Sequence, residues 1–249
     1  MKGLILAAGR GSRLREHTEE HSKCMLPMFG KPLIQYSLEN AVRAGATEVV
    51  IVVAYRAEEI INRFGIEFQG VRLQYVFQDE PQGLVHALEC SRETIGNEEF
   101  MLFLADEILW APRHKEMVEK FQSENLAVIC GVVHEANLDE IRKTYAVIED
   151  DRDQRIYRLI EKPRNPPNEI RGTGNCIFRA EIFDFVPLTP INQNRSEREL
   201  PDLIQCAVDD GLPVKSFDIG DGYVNINTPE DIAIAEQENA SRFLAPEEA

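Results

Sequence analysis

Apolar positions along this chain fall into two periods that take turns from the N-terminus onward. Residues 2–8 form a Leu- and Ile-rich run cut off by a Gly-x-Gly turn, the pattern of a strand. Pro32 opens an amphipathic stretch through Ala44 that Gly45 ends, which predicts a helix. Residues 48–54 are a nearly unbroken Val/Ile run, as expected of a strand buried on both faces, with helical spacing behind it over 58–64. The alternation continues with strands over 71–77, 100–104 and 126–133 and helices over 83–92 and 113–123. Such β-α-β order predicts right-handed crossovers and an α/β fold with a Rossmann-like, doubly wound, mostly parallel mixed sheet.

Past residue 135 the regularity loosens. Strands over 145–149 and 155–161 flank a polar turn and lead into a Pro-rich loop at 163–168, which predicts an antiparallel insertion. A strand over 173–179, a helix over 197–209 and short strands over 214–218 and 222–226 follow. Thr228-Pro229-Glu230-Asp231 then reads as a helix start: Thr228 caps, Pro229 suits the first helical position, and the acids complement the dipole. With no repeat, low-complexity tract or linker, 1–249 reads as a single domain of two halves, 1–110 and 111–249.

Composition narrows the class. At 43% hydrophobic and 28% charged residues the 249-residue chain is ordinary globular protein, which excludes disordered, collagen-like and coiled-coil chains. The longest strongly apolar stretch, 49–54, is far short of the ~20 residues of a bilayer span, and the apolar start lacks a signal-peptide layout. The five cysteines are scattered, odd in number and without C-x-x-C spacing, so neither a zinc knuckle nor a disulfide framework is expected, and a reducing cytoplasm is the expected compartment. A formal charge of −16 argues against nucleic acid or anionic membrane as partner. Residues 1–31 run the other way, with Lys2, Arg10, Arg13, Arg15, Lys23 and Lys31 against three glutamates.

That basic segment holds the first candidate chemistry. Leu6-Ala7-Ala8-Gly9-Arg10-Gly11-Ser12-Arg13-Leu14 follows the first strand. Its glycines let backbone amides close on phosphate oxygens, and Arg13 adds a fork of donors. It is neither a Rossmann fingerprint, because the third glycine falls at Leu14, nor a Walker loop, because G-K-[ST] is missing. Asp106 closes the apolar run 100–104 at a strand's carboxyl end, where open α/β sheets bind ligands; it can hold Mg²⁺ or cap a turn.

On these residues the sequence resembles the sugar-1-phosphate nucleotidylyltransferases, typified by glucose-1-phosphate thymidylyltransferases. Their signature is a strand, then A-G-x-G-T-R-L, then P-K about ten residues on. Lys23 falls on that lysine without a gap; Ser12 stands for the threonine, and Ser22 and Cys24 for the flanking prolines. The resemblance implies Arg13, Lys23 and Asp106 as catalytic residues. It implies nucleotide binding by Ala7, Ala8, Gly9, Gly11, Ser12 and Arg13, with Gln78 and Gly83 of Gln78-Asp79-Glu80-Pro81-Gln82-Gly83-Leu84 at the base. The E-K-P match at Glu161-Lys162-Pro163, with Thr173-Gly174 beyond, implies the sugar-phosphate site, Thr173 bordering the sugar with its hydroxyl and backbone. Ala146 stands where relatives often have glycine near the sugar. The family's second metal position lies in W-x-D-x-G-T-P-E-D, here Tyr223-Val224-Asn225-Ile226-Asn227-Thr228-Pro229-Glu230-Asp231, so Mg²⁺ is implied on Asp106 and Asn225 with one negative charge fewer.

The expected activity is Mg²⁺-dependent synthesis of an NDP-sugar and pyrophosphate from a nucleoside triphosphate, UTP or dTTP favoured, and a sugar 1-phosphate, with 1–110 chiefly holding nucleotide and 111–249 chiefly holding sugar phosphate. Homo-oligomers are compatible with it. His86 and the cysteines read as structural, and no β-helix domain or acetyltransferase activity is expected. The alternatives are a cytidylyl- or guanylyltransferase acting on another phosphate or phosphonate acceptor, and a non-catalytic nucleotide-sugar-binding regulator, which Asn225 favours. A nicotinamide-dependent oxidoreductase needs an acid after the second strand, which ends instead at Ala54-Tyr55-Arg56.

Overall fold

The computed structural model describes residues 1–9 and 22–243; Gly11, Ser12 and Arg13 lie outside the described residues. Strands β1 (Lys2–Ala7), β2 (Glu48–Val53), β3 (Val71–Phe77) and β4 (Phe100–Leu104) run parallel in the order β3-β2-β1-β4. Because side chains alternate along a strand, β1 and β2 feed two cores. Leu4, Leu6, Val50 and Val52 enter one, and Ile5, Ala7, Val49 and Ile51 enter the other.

Helices cover both faces. Ile34, Leu38 and Ala41 of α1 (Leu33–Arg43) and Ile60 and Phe64 of α2 (Ala57–Phe64) pack on the second core. Val85, Ala87 and Leu88 of α3 (Leu84–Cys90) pack on the first. α4 (His114–Ser123) adds Met117 and Phe121 to the second. The sheet is therefore doubly wound, as the alternation predicts.

The later half joins the same ten-stranded sheet. It adds β6 (Val128–His134), β7 (Tyr145–Glu149), β8 (Ile156–Glu161), β9 (Ile170–Phe178) and β10 (Val214–Asp218), which with an edge strand at Glu67–Phe68 complete the ten, while β5 (Glu107–Trp110) and β11 (Gly222–Asn225) lie outside that sheet. β9 lies antiparallel to β4 and β6 and carries β7 and then β8, which is the expected antiparallel insertion. β10 is parallel to β6. The pairing of β9 with β6 shifts register between Gly172 and Cys176, so Thr173, Gly174 and Asn175 bulge out of the ladder.

Two elements differ from the sequence reading. β5 pairs with β11 in a separate antiparallel ribbon; the polar Ala105-Asp106-Glu107 step hides its start. The helix expected over 197–209 begins later, as α5 (Leu200–Asp209), because Glu197 and Arg198 pair with Ile191 and Asn192 in a short hairpin. The last helix, α6 (Pro229–Phe243), starts as predicted: Thr228 Oγ1 accepts from Asp231 N at 3.2 Å, and Asp231 Oδ2 accepts from Thr228 N at 2.8 Å. All five cysteines are free, as expected. Among the described residues no helix is long and apolar enough to cross a membrane.

Candidate active site

The carboxyl ends of β1 and β4 open onto a cavity of about 510 Å³ lined by Ala7, Ala8, Gly9, Lys23, Gln78, Gly83, Asp106 and Asn225, among others. A single 3₁₀ turn, Lys23–Met25, pins Lys23 by burying Cys24 beneath it. The Lys23 Nζ lies 2.5 Å from Asp106 Oδ2, a charge-assisted contact across 83 residues of sequence. Burial pushes the Cys24 thiol up to about 12, which leaves it protonated and unsuited as a nucleophile.

Asn225 reaches the same place through the β5–β11 ribbon, where it pairs with Glu107, and Ile226 N donates to Asp106 O at 2.9 Å. Asn227 Nδ2 donates to Asn225 Oδ1 at 3.1 Å and so orients that amide. Among the described residues no three His, Cys, Asp or Glu side chains converge as a metal-binding group. One carboxylate and one amide oxygen lining the same cavity still suit Mg²⁺, which takes few protein ligands when phosphates supply others.

Glu107, next to Asp106, is a residue that the sequence reading missed. It is 6% exposed, and its carboxylate accepts from Gly174 N at 2.9 Å, Asn175 Nδ2 at 3.0 Å and the Tyr223 hydroxyl at 2.6 Å. Burial raises its pKa to about 7, against the pull of those donors. The bulge of β9 turns Gly174 N and the Asn175 side chain toward this carboxylate. Tyr223 is in turn held under Arg171, whose guanidinium sits 4.5 Å from the ring centroid and pairs with Glu135 at 3.2 Å and Glu140 at 3.3 Å.

Asn175 has a second partner, the buried His114, with Nε2 at 2.9 Å from its Oδ1. Burial lowers the His114 pKa to about 4. An unfolded histidine titrates near 6.5, so the folded state is at full strength above that pH and loses stability as the pH falls toward 4. The loss from this residue reaches about 2 kcal/mol by pH 5. His114→Gln keeps a donor for Asn175 and removes the titration, so urea unfolding at pH 8 and pH 5 should show a smaller acid loss in the variant; identical losses would refute the assignment.

At the base end, Gly83 starts α3 with φ at +90°, and a Cβ there would meet Glu197 Oε2 at 2.8 Å. Only glycine admits both that conformation and the hairpin's close approach. Gln78, 6% exposed, donates through Nε2 to Gly83 O at 3.1 Å.

A second cluster lies apart from the residues lining the cavity. Glu161 ends β8, and its Oε1 is 2.9 Å from Lys162 Nζ and 3.6 Å from Arg195 Nη1. Lys162 sits at φ +43°, held by its N–H donating to Thr144 O at 2.7 Å. A non-glycine residue in that region is strained, and such strain is stored where surrounding structure needs the side chain placed. Burial raises the Glu161 pKa. Arg195, in the 191–198 hairpin, was not singled out from sequence because no motif surrounds it. Thr173 differs from expectation: it is 1% exposed, its hydroxyl donates to Gly131 O at 2.9 Å, and its carbonyl accepts from the Tyr145 hydroxyl at 2.7 Å. Contact of that hydroxyl with a ligand would require breaking this network, and Gly174 N is likewise held by Glu107.

Parallel strands that end at a cavity bearing a lysine–aspartate pair define an α/β protein whose ligand site is expected at the strand ends. A family model for nucleotidyl transferases matches residues 2–240, and the chain belongs to that family. It is 35% identical over 237 residues to the UTP–glucose-1-phosphate uridylyltransferase AglF of Haloferax volcanii, covering 95% of this chain and 96% of AglF. It is 32% identical over 240 residues to the low-salt glycan biosynthesis nucleotidyltransferase Agl11 of the same organism, where the match spans 95% of this chain and 65% of Agl11. The solved structure of UDP-glucose pyrophosphorylase complexed with UDP-glucose shares the fold at a TM-score of 0.87 and 24% identity, over 96% of this chain and 98% of that one.

Proposed function

We propose that this protein joins a nucleoside triphosphate, UTP or dTTP by preference, to a sugar 1-phosphate and releases pyrophosphate. The observation that carries this reading is the Lys23–Asp106 pair lining the cavity at the ends of β1 and β4. The name of AglF, a UTP–glucose-1-phosphate uridylyltransferase, supports the substrate class.

A phosphate oxygen of the sugar 1-phosphate attacks the α-phosphorus, a new P–O bond forms, and the bond to the β-phosphate oxygen breaks in line. The attacking phosphate is already ionised at neutral pH, so no protein base or nucleophile is needed, and the protein's work is positioning and charge neutralisation. Gly9, with Gly11, Ser12 and Arg13 of the loop, holds the triphosphate beside Ala7 and Ala8. Gln78 and Gly83 take the base. Lys23 offsets charge that develops between the α-phosphate and the leaving group. Lys162 and Arg195 draw in the acceptor phosphate, and Glu161 accepts from sugar hydroxyls. Thr173 and Gly174 shape the wall behind, through Glu107. Asp106 and Asn225 would hold Mg²⁺, which when bound neutralises phosphate charge.

Asn225 favours a second reading, a regulator that binds nucleotide-sugar without turnover. Pyrophosphate release separates the two. With Mg²⁺, five triphosphates and a panel of sugar 1-phosphates and other phosphorylated acceptors, one pair should turn over, and Asp106→Ala should reduce it at least about 10²-fold. Binding of nucleotide-sugar with no release across the panel would establish the regulator instead.

A further inference from the structure

We propose that His86 is a positioning residue that fixes the face of the Gln78 amide offered to the base, and thereby selects uracil or thymine over cytosine. This rests on the nucleotide site proposed above. Gly83 O can only accept, so the Gln78 atom 3.1 Å from it must be the amide nitrogen. The second proton of that nitrogen faces His86 Nδ1 at 2.9 Å. To receive it, Nδ1 must carry a lone pair, which places the ring proton on Nε2, where Cys90 Sγ lies 3.8 Å away as a weak acceptor.

Both amide protons are thus spent inside the protein. The Gln78 Oε1 has no hydrogen-bond partner among the described residues, and Gln78 lines the cavity. What it offers a ligand is an acceptor alone. The N3–H of uracil or thymine donates to such an oxygen. The N3 of cytosine is itself an acceptor, so lone pair would face lone pair and both groups would lose their bonds on leaving water. Without His86 a single bond to Gly83 O holds the amide, and the amide turns more readily to present its NH₂ to cytosine.

The test compares wild type, His86→Ala and His86→Asn. The Asn oxygen falls near the position of Nδ1 and can accept the same proton. His86 is half-buried on α3, where alanine is a better helix former, so a thermal melt serves only to check that the variants fold. The readouts are kcat/KM for UTP, dTTP and CTP in pyrophosphate release, and calorimetric binding of UDP and CDP. Wild type is expected to favour UTP or dTTP over CTP by about 10²-fold or more. His86→Ala should lower that ratio about tenfold, chiefly through KM, and His86→Asn should restore most of it.

An unchanged ratio in His86→Ala, or no recovery in His86→Asn, would overturn the proposal. Wild type that uses CTP as well as UTP would overturn it while leaving nucleotidyl transfer intact. If no triphosphate releases pyrophosphate yet UDP binds over CDP in a His86-dependent way, the positioning role stands and the transferase reading falls. Binding of neither nucleotide overturns both.

Discussion

Lys23→Ala is expected to lower kcat by about 10²–10³-fold while weakening nucleotide binding far less. The ammonium is 2.5 Å from Asp106 in a pocket that leaves its side chain 11% exposed, so its charge acts with little solvent screening. In the proposed reaction, ground-state affinity is shared among several groups around the nucleotide, whereas the extra charge at the reacting phosphorus exists only in the transition state. The fold should tolerate the change, because the Asp106 side chain is 27% exposed and water can take over its solvation. Steady-state turnover beside calorimetric nucleotide binding checks this. Equal losses in both would make Lys23 a plain binding residue.

Glu107→Gln is expected to remove about 2–4 kcal/mol of stability and to cut turnover together with it. Three donors from β9 and β11 converge on this carboxylate. Glutamine leaves one oxygen to accept and turns an NH₂ against one of those donors, which buries an unmade bond. Because Asp106 immediately precedes β5 and Asn225 ends β11, loosening their tie to β9 also displaces the two oxygens proposed to hold Mg²⁺. Tyr223→Phe removes one donor and should cost about 1 kcal/mol. In a double-mutant cycle the two costs should fall short of additive. Wild-type urea stability for Glu107→Gln would show that the carboxylate holds nothing together.

Several parts of the protein were legible before any coordinates. The order of the parallel strands β1 to β4 with the helices between them, β6, and the place of Asp106 at a strand end all follow from local signals. A strand's period of two and a helix's period of 3.6 are written within a few neighbouring residues, and an apolar run that stops at an acid marks where a buried strand meets water. The Thr228–Asp231 helix start is of the same kind, since its hydrogen bonds close within three residues.

The remainder depended on contacts between distant segments. Glu107 follows an obvious candidate, yet its meaning comes from Tyr223, 116 residues away, and from a register shift in β9 that no local period encodes. Arg195 gains its place from the 191–198 hairpin, whose two-residue strands displace the start of α5, and which brings it to Glu161. His86 lies on a helix face like any half-buried histidine, and only the carbonyl of Gly83 reveals which atom of Gln78 it holds. Local sequence signals set the parallel core and the ends of β1 and β4 that line the cavity, because strand and helix periods are written over short range. The tertiary structure alone decided how buried polar groups are satisfied, because each must find its partner wherever the crossovers bring one within 3 Å or so.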